Sequence, residues 1–401
     1  MDASQTELVA QASAHLYPNY RQPPLVLARG QGSTVWDVEG KRYLDLAAGI
    51  AVSSLGHAHP ALVKAIADQA ARLIHVSNYF YNERNIELAT RLTKLTGMNR
   101  AFFCNSGTEA IEACIKLTRR YFFAKGEEAR YRIVAFDQSF HGRTLGALAA
   151  TGQKAYRDGF GPLPGVTHVA YGDVAAVRAA MGPDVAGILV EPVQGEGGVN
   201  PAPAGFLRAL REVCDGAGAL LVADEVQTGI GRTGRFLAFE HAGVSPDVVA
   251  LAKGLGGGVP IGAMLCRSEL EGALPPGSHG STFGGNALTS AAALAVLDAL
   301  SREGLVEGAV TKGAHLARLL AGLAGKYPKT VETSRGLGLL QALVLREGVD
   351  ARAVVAELRD AGLLLTIAGS RALRFSPPLN VTLGDLDEGA AIVDRVLSAH
   401  V

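Results

Sequence analysis

ALLVADE (219–225) and DVVALAK (247–253) are the two stretches whose reading decides the fold. Each is an unbroken apolar run that ends on charge: Asp224 with Glu225 in the first, Lys253 in the second. Runs of this kind suit strands buried on both faces, the mark of a mostly parallel sheet. Four more recur upstream: RAFFCN (100–105), RIVAF (132–136), VTHVA (166–170) and AGILVEP (186–192). Helical patterns, such as 108–125 and 205–216, separate them. That alternation predicts an open α/β sheet with helices on both sides.

From about Asn286 onward the pattern changes. Two long helical patterns lead into RGLGLLQALVL (335–345), a helix over 351–361, the short runs LLTIAG (364–369) and ALRFSPP (372–378), and a final helix over 384–399. This predicts a smaller α+β domain over 286–401, entered through an interdomain helix and joined by the N-terminal segment 1–60. Residues 61–285 form the large domain between them.

Composition narrows the function. Acidic and basic residues balance at 38 each, so no net charge points to nucleic acid or a membrane surface. The four cysteines (Cys104, Cys114, Cys214 and Cys266) form no C-x-x-C pair; Cys104 and Cys266, in apolar runs, read as buried reduced thiols, and this usage fits a reducing compartment. The first twenty residues lack a secretory pattern, and no apolar run reaches membrane-spanning length. The expectation is a cytoplasmic protein that takes a small polar substrate and no metal.

In open α/β sheets, ligands gather beyond the carboxyl ends of the strands. Asn105-Ser106-Gly107-Thr108 follows one predicted strand and opens a helix, which suits either a plain N-cap or a phosphate cradle. Asp224, at the end of a buried strand, fits a capped turn, a metal or a protonated ring nitrogen; no His or Cys cluster favours the metal. Lys253 runs into Gly254-Leu255-Gly256-Gly257-Gly258. A strand-terminal lysine is commonly a surface residue, but one among glycines and apolar groups can act as an imine-forming nucleophile.

Six blocks in order carry a resemblance over nearly the whole chain: NSGTEA (105–110), FHGRT (140–144), EPVQGEGG (191–198), DEVQTGIGRTG (224–234), ALAKGLGGG (250–258) and STFGGN (281–286). The chain is similar to the class III (ornithine-type) pyridoxal-phosphate (PLP) aminotransferases. The resemblance implies PLP-dependent transferase fold type I, with a mostly parallel seven-stranded sheet. It implies PLP as a Schiff base on Lys253, which then moves the proton between substrate and cofactor. Ser106, Gly107 and Thr108 would hold the phosphate, with Thr282 reaching it from the partner of a homodimer. Phe140 would stack on the ring and Val226 lie beside it. Asp224 would pair with the ring nitrogen, and Gln227 with the ring hydroxyl oxygen.

The same resemblance assigns the substrate contacts. Arg143 would grip the remote carboxylate and Arg374 the α-carboxylate of glutamate, since a guanidinium fork pairs bidentately with a carboxylate. Glu196 would neutralise Arg374 while an ω-amine is bound and release it for glutamate. Ser281 would touch substrate. His57, His59 and His141 read as structural. Ornithine-acting members commonly carry a tyrosine where this chain has Ile50, which favours an acylated donor. The expected reaction is transfer from N2-acetylornithine to 2-oxoglutarate, giving glutamate. The alternatives are other ω-amines of the branch: succinylornithine, succinyl-diaminopimelate, acyl-lysine, 4-aminobutyrate or ornithine. A non-enzymatic PLP-binding regulator on the same fold is the contrasting class.

Overall fold

The computed structural model describes residues 4–400, so residues 1–3 and 401 of the expected terminal segments lie outside it. Its largest sheet has seven strands: β1 (Arg100–Cys104), β2 (Arg132–Phe136), β3 (Val166–Val169), β4 (Val185–Val190), β5 (Leu220–Asp224), β6 (Val248–Leu251) and β7 (Gly262–Cys266). Their order across the sheet is β1-β7-β6-β5-β4-β2-β3. Strands β2 to β6 pair in parallel, and only β7 runs antiparallel to its two neighbours. The fold is therefore the expected α/β architecture with a mostly parallel seven-stranded sheet.

Alternate residues of the central strands enter opposite cores, which is why their sequences are apolar throughout. Leu221, Ala223 and Val249 pack with helix Phe206–Ala217 on one face. Leu220, Val222, Val248 and Ala250 pack with helix Gly107–Ala124 on the other. Strand β7 is not among the six runs that stand out in the sequence. It opens on Gly262, which tolerates no side chain: a Cβ there would lie 2.3 Å from the Ser106 carbonyl oxygen.

Other sheets draw on both ends of the chain. Strands Leu27–Gln31, Thr34–Asp37 and Arg42–Asp45 form a meander, and Leu363–Leu364 adds in parallel to Arg42–Asp45. The strand-rich stretch around 335–345 splits into a hairpin, Val331–Leu337 and Leu340–Leu345. Strand Ala372–Phe375 pairs with Leu340–Leu345, then with Thr366–Ala368. Among the described residues no helix is long and apolar enough to cross a membrane.

Candidate active site

Register places the two decisive charges side by side. Asp224 pairs with Ala250 across β5 and β6, so Lys253 lies three residues beyond the partner of Asp224 at the same sheet end. Both line one cavity of about 200 Å³, together with Gly107, Thr108, Phe140, Arg143, Glu196, Val226 and Gln227. His141 and Glu191 also line it.

At one end of the cavity stands the start of helix Gly107–Ala124. Ser106 caps it, its Oγ accepting from the Glu109 N–H at 3.3 Å. The amides of Gly107 and Thr108 belong to the first turn, where a helix leaves N–H groups without an internal acceptor. A Cβ at Gly107 would lie 2.7 Å from Val226 Cγ1, so the loop after Asp224 rests directly on this helix end.

Asp224 is buried and held from two sides. Its Oδ2 lies 2.7 Å from His141 Nδ1, and its Oδ1 accepts from the Val226 N–H at 3.0 Å. His141 Nε2 is buried and has no hydrogen-bond partner among the described residues. Next to them, Glu191 accepts from the Phe140 N–H at 3.1 Å and the Gly195 N–H at 3.3 Å. Burial pushes the Glu191 carboxyl up to about 7, against the pull of His141 and with the repulsion of Asp224.

Lys253 has φ of +42°, a left-handed backbone that non-glycine residues adopt at a cost. Its amine is held below the ordinary lysine range, chiefly by burial; Glu196 pulls it back up and Arg374 pushes it further down. A lysine with its charged form disfavoured is the right kind of nucleophile and proton carrier.

Arg374 projects from strand Ala372–Phe375 and is 1% exposed. Its Nη1 donates to Glu196 Oε1 at 2.5 Å, to Gln227 Oε1 at 3.3 Å and to the Gly195 carbonyl at 3.2 Å. Its Nε donates to Thr366 Oγ1 at 3.0 Å. Burial raises the Glu196 carboxyl, but Arg374 and Lys253 outweigh that and hold it below the usual carboxylate range. Arg143 lies over the Tyr156 ring, 3.9 Å from its centroid, and 5.3 Å from that of Phe140.

Three residues singled out from the sequence stand away from this cavity within one chain. Thr282 is exposed. Ser281 Oγ accepts from the Gly284 N–H and the Asn105 side-chain amide. Ile50, 39% exposed, lies in a turn whose residues Ala48 to Ala51 all have positive φ. His57 pairs with Asp45 at 2.8 Å, and His59 precedes helix Pro60–Ala70 as its N-cap. Among the described residues no group of three or more His, Cys, Asp or Glu could hold a metal.

Sequence reading passes over Glu191, Thr366 and Tyr156, and gives His141 no link to Asp224. Glu191 carries the same signal as Asp224, an acid ending a buried apolar run. The other three need the fold.

Comparison with known proteins places the chain among aminotransferases. The family model described as aminotransferase class-III matches residues 16–397. The acetylornithine aminotransferase of Myxococcus xanthus is 52% identical over 96% of each chain. The crystal structure of ornithine aminotransferase from Toxoplasma gondii superposes with a TM-score of 0.96 at 34% identity, over 100% of this chain and 96% of that one. That of acetylornithine aminotransferase from Elizabethkingia anophelis gives 0.89 at 33%, over 99% and 100%. With the family model matching residues 16–397 and a relative 52% identical over 96% of each chain, this chain belongs to the class-III aminotransferase family.

Proposed function

We propose that the protein transfers the ω-amino group of N2-acetyl-L-ornithine to 2-oxoglutarate, using PLP bound in the cavity. The products are N-acetyl-L-glutamate 5-semialdehyde and L-glutamate, a step of arginine biosynthesis. The observation that carries the reading is the Glu196–Arg374 pair beside Lys253. A site with a buried arginine and a mobile counter-charge can serve one donor without a carboxylate at the reacting carbon and another with one.

The residues fit PLP. The first-turn amides of Gly107 and Thr108 suit a phosphate, and the buried Asp224 lines the same cavity. When bound, PLP supplies the electron sink for exchange of an amino group and a proton. Everything else falls to the chain. Lys253 holds the cofactor and moves the proton at the reacting carbon. Asp224, oriented by His141 and the Val226 amide, would accept from the cofactor's ring nitrogen. Phe140, its backbone fixed by Glu191, would stack on the cofactor ring, and Val226 and Gln227, which line the same cavity, would complete its contacts. Ser106 shapes the phosphate end by capping the helix. Arg143 takes the remote carboxylate and Arg374 the α-carboxylate of glutamate once Glu196 lets go. Ile50, without a hydroxyl, favours the acylated donor.

The working unit in this reading is a homodimer, with Thr282 and Ser281 facing the partner's site. Support comes from an apolar patch around them. Tyr79, Phe80, Tyr81 and Phe283 are 90%, 72%, 91% and 60% exposed. Asn78 ties the two segments together, donating to the carbonyls of Ser281 at 2.8 Å and Gly284 at 3.1 Å. A contiguous patch of this kind marks an interface. All four cysteines are free and buried, which suits the cytoplasm.

A half-reaction assay tests the assignment. The PLP-loaded protein, with no keto acid present, is mixed separately with N-acetylornithine, ornithine and 4-aminobutyrate while the cofactor absorbance is followed. Fastest loss with N-acetylornithine is expected. Faster loss with either other amine would reassign the substrate within the family.

A further inference from the structure

Arg143 sits on an exposed loop, yet its position is tied to helix Gly107–Ala124 by a chain of hydrogen bonds that starts at the partly buried Glu112. Glu112 lies on helix Gly107–Ala124, one turn beyond Thr108. One oxygen of its carboxylate, Oε1, accepts from Thr144 Oγ1 at 2.5 Å, the Gly146 N–H at 2.9 Å and the Ala147 N–H at 3.0 Å. Thr144 Oγ1 lies 3.0 Å from Thr108 Oγ1. Thr108 Oγ1 in turn accepts from the Arg143 N–H at 3.1 Å and the Thr144 N–H at 3.3 Å.

Counting protons orders this chain. A hydroxyl has one proton and two lone pairs. Thr144 gives its proton to Glu112, so in the Thr108–Thr144 contact Thr108 must be the donor. Thr108 then has its single proton on Thr144 and both lone pairs on the amides of residues 143 and 144. It has nothing left to give a phosphate.

Two glycines independently mark the same contacts. A Cβ at Gly142 would lie 2.2 Å from Thr108 Oγ1, and one at Gly146 would lie 2.4 Å from Glu112 Oε2. The loop at Gly142 and the following helix at Gly146 lack side chains where Thr108 and Glu112 press against them.

Resting on the transaminase reading above, we propose that Glu112 is the positioning residue for Arg143, acting through Thr144 and Thr108. Grip on the substrate's remote carboxylate depends on this chain, and the cofactor phosphate is held by the helix amides rather than by the Thr108 hydroxyl.

Full-length Glu112→Ala, Glu112→Gln and Thr108→Val proteins test it. Cofactor affinity is measured by titrating PLP into apo-protein and reading the visible band. Kinetics compare N-acetylornithine with 1-aminopentane, an ω-amine that carries no carboxylate for Arg143. Glu112→Ala is expected to lower the ratio of kcat/KM for N-acetylornithine over that for 1-aminopentane about tenfold, mostly through KM. Glu112→Gln, which keeps an oxygen acceptor, should restore most of that ratio. Thr108→Val should raise the KM for N-acetylornithine about tenfold and change the PLP dissociation constant less than about threefold.

An unchanged substrate ratio in Glu112→Ala would overturn the proposal. So would Thr108→Val weakening PLP about tenfold with KM unmoved. If Glu112→Ala does not fold, Thr108→Val still decides between the loop and the phosphate. A wild-type protein that forms no visible band with PLP would overturn the transaminase reading first, and this proposal with it.

Discussion

Arg374 and Glu196, contributed by a C-terminal strand and by the turn between the short strands Val193–Gln194 and Asn200–Pro201, meet at 2.5 Å with the guanidinium 1% exposed. Charges so deeply buried are kept only in company, because an unpaired one costs several kcal/mol. Around Arg374 the other acceptors are neutral: Thr366, Gly195 and Gln227. Glu196 is thus its counter-ion, and the way it is shared between two half-reactions can be measured.

Glu196→Ala leaves Arg374 positive at all times. The half-reaction with N-acetylornithine should slow about tenfold or more, while that with glutamate changes less than about threefold. Stopped-flow traces of the two halves give both numbers. Equal slowing of both would count against a switch.

Lys253→Ala removes the cavity's amine. Turnover should fall by at least about a thousandfold, the scale of lost nucleophilic and proton-transfer catalysis. Steady-state assays with N-acetylornithine and 2-oxoglutarate read the loss. A variant retaining full activity would sink the mechanism.

Glu225, beside Asp224, is buried, and burial lifts its carboxyl up to about 7 against bonds from Thr228 and the Phe239 amide. Between its ordinary 4.5 and about 7 the folded chain keeps a proton that the unfolded chain has lost. This group's stabilisation is therefore complete below the lower value and lost as pH rises through the upper one. Glu225→Gln cannot ionise. Its stability relative to wild type should improve by about 2 kcal/mol between pH ~5 and pH ~8, read from urea midpoints. A gap that does not widen with pH would show that Glu225 titrates normally.

Tyr81→Arg combined with Phe283→Arg places two charges in the apolar patch around Thr282. Light scattering should show the wild type as a dimer and the double variant as a monomer, with activity reduced about tenfold or more. A fully active dimer carrying both charges would remove the patch from the interface.

Much of this is legible in the chain before it folds. The central strands are apolar at every position because both faces are covered, so they stand out from any surface strand. Asp224 ends one such strand and Lys253 follows another by two residues, opening the turn Lys253–Gly256, and that makes them conspicuous. Strand β7 escapes because it follows the run Gly256-Gly257-Gly258-Val259-Pro260 and itself opens on Gly262, so nothing marks its start. Tyr156 and Thr366 escape because a ring over a guanidinium, or a hydroxyl beneath one, leaves no trace in spacing.

By itself, then, the sequence determined the layering of the large sheet and which strand ends carry charge, since periodicity and apolar runs are local properties. Only the tertiary structure decided the partners. Arg374 lies 178 residues from Glu196, and His141 lies 83 from Asp224. Which charges meet over such separations is set by crossover connections and sheet register. Whether Thr108 serves a phosphate or a loop depends on how one proton is shared among neighbours that only folding brings within hydrogen-bond reach.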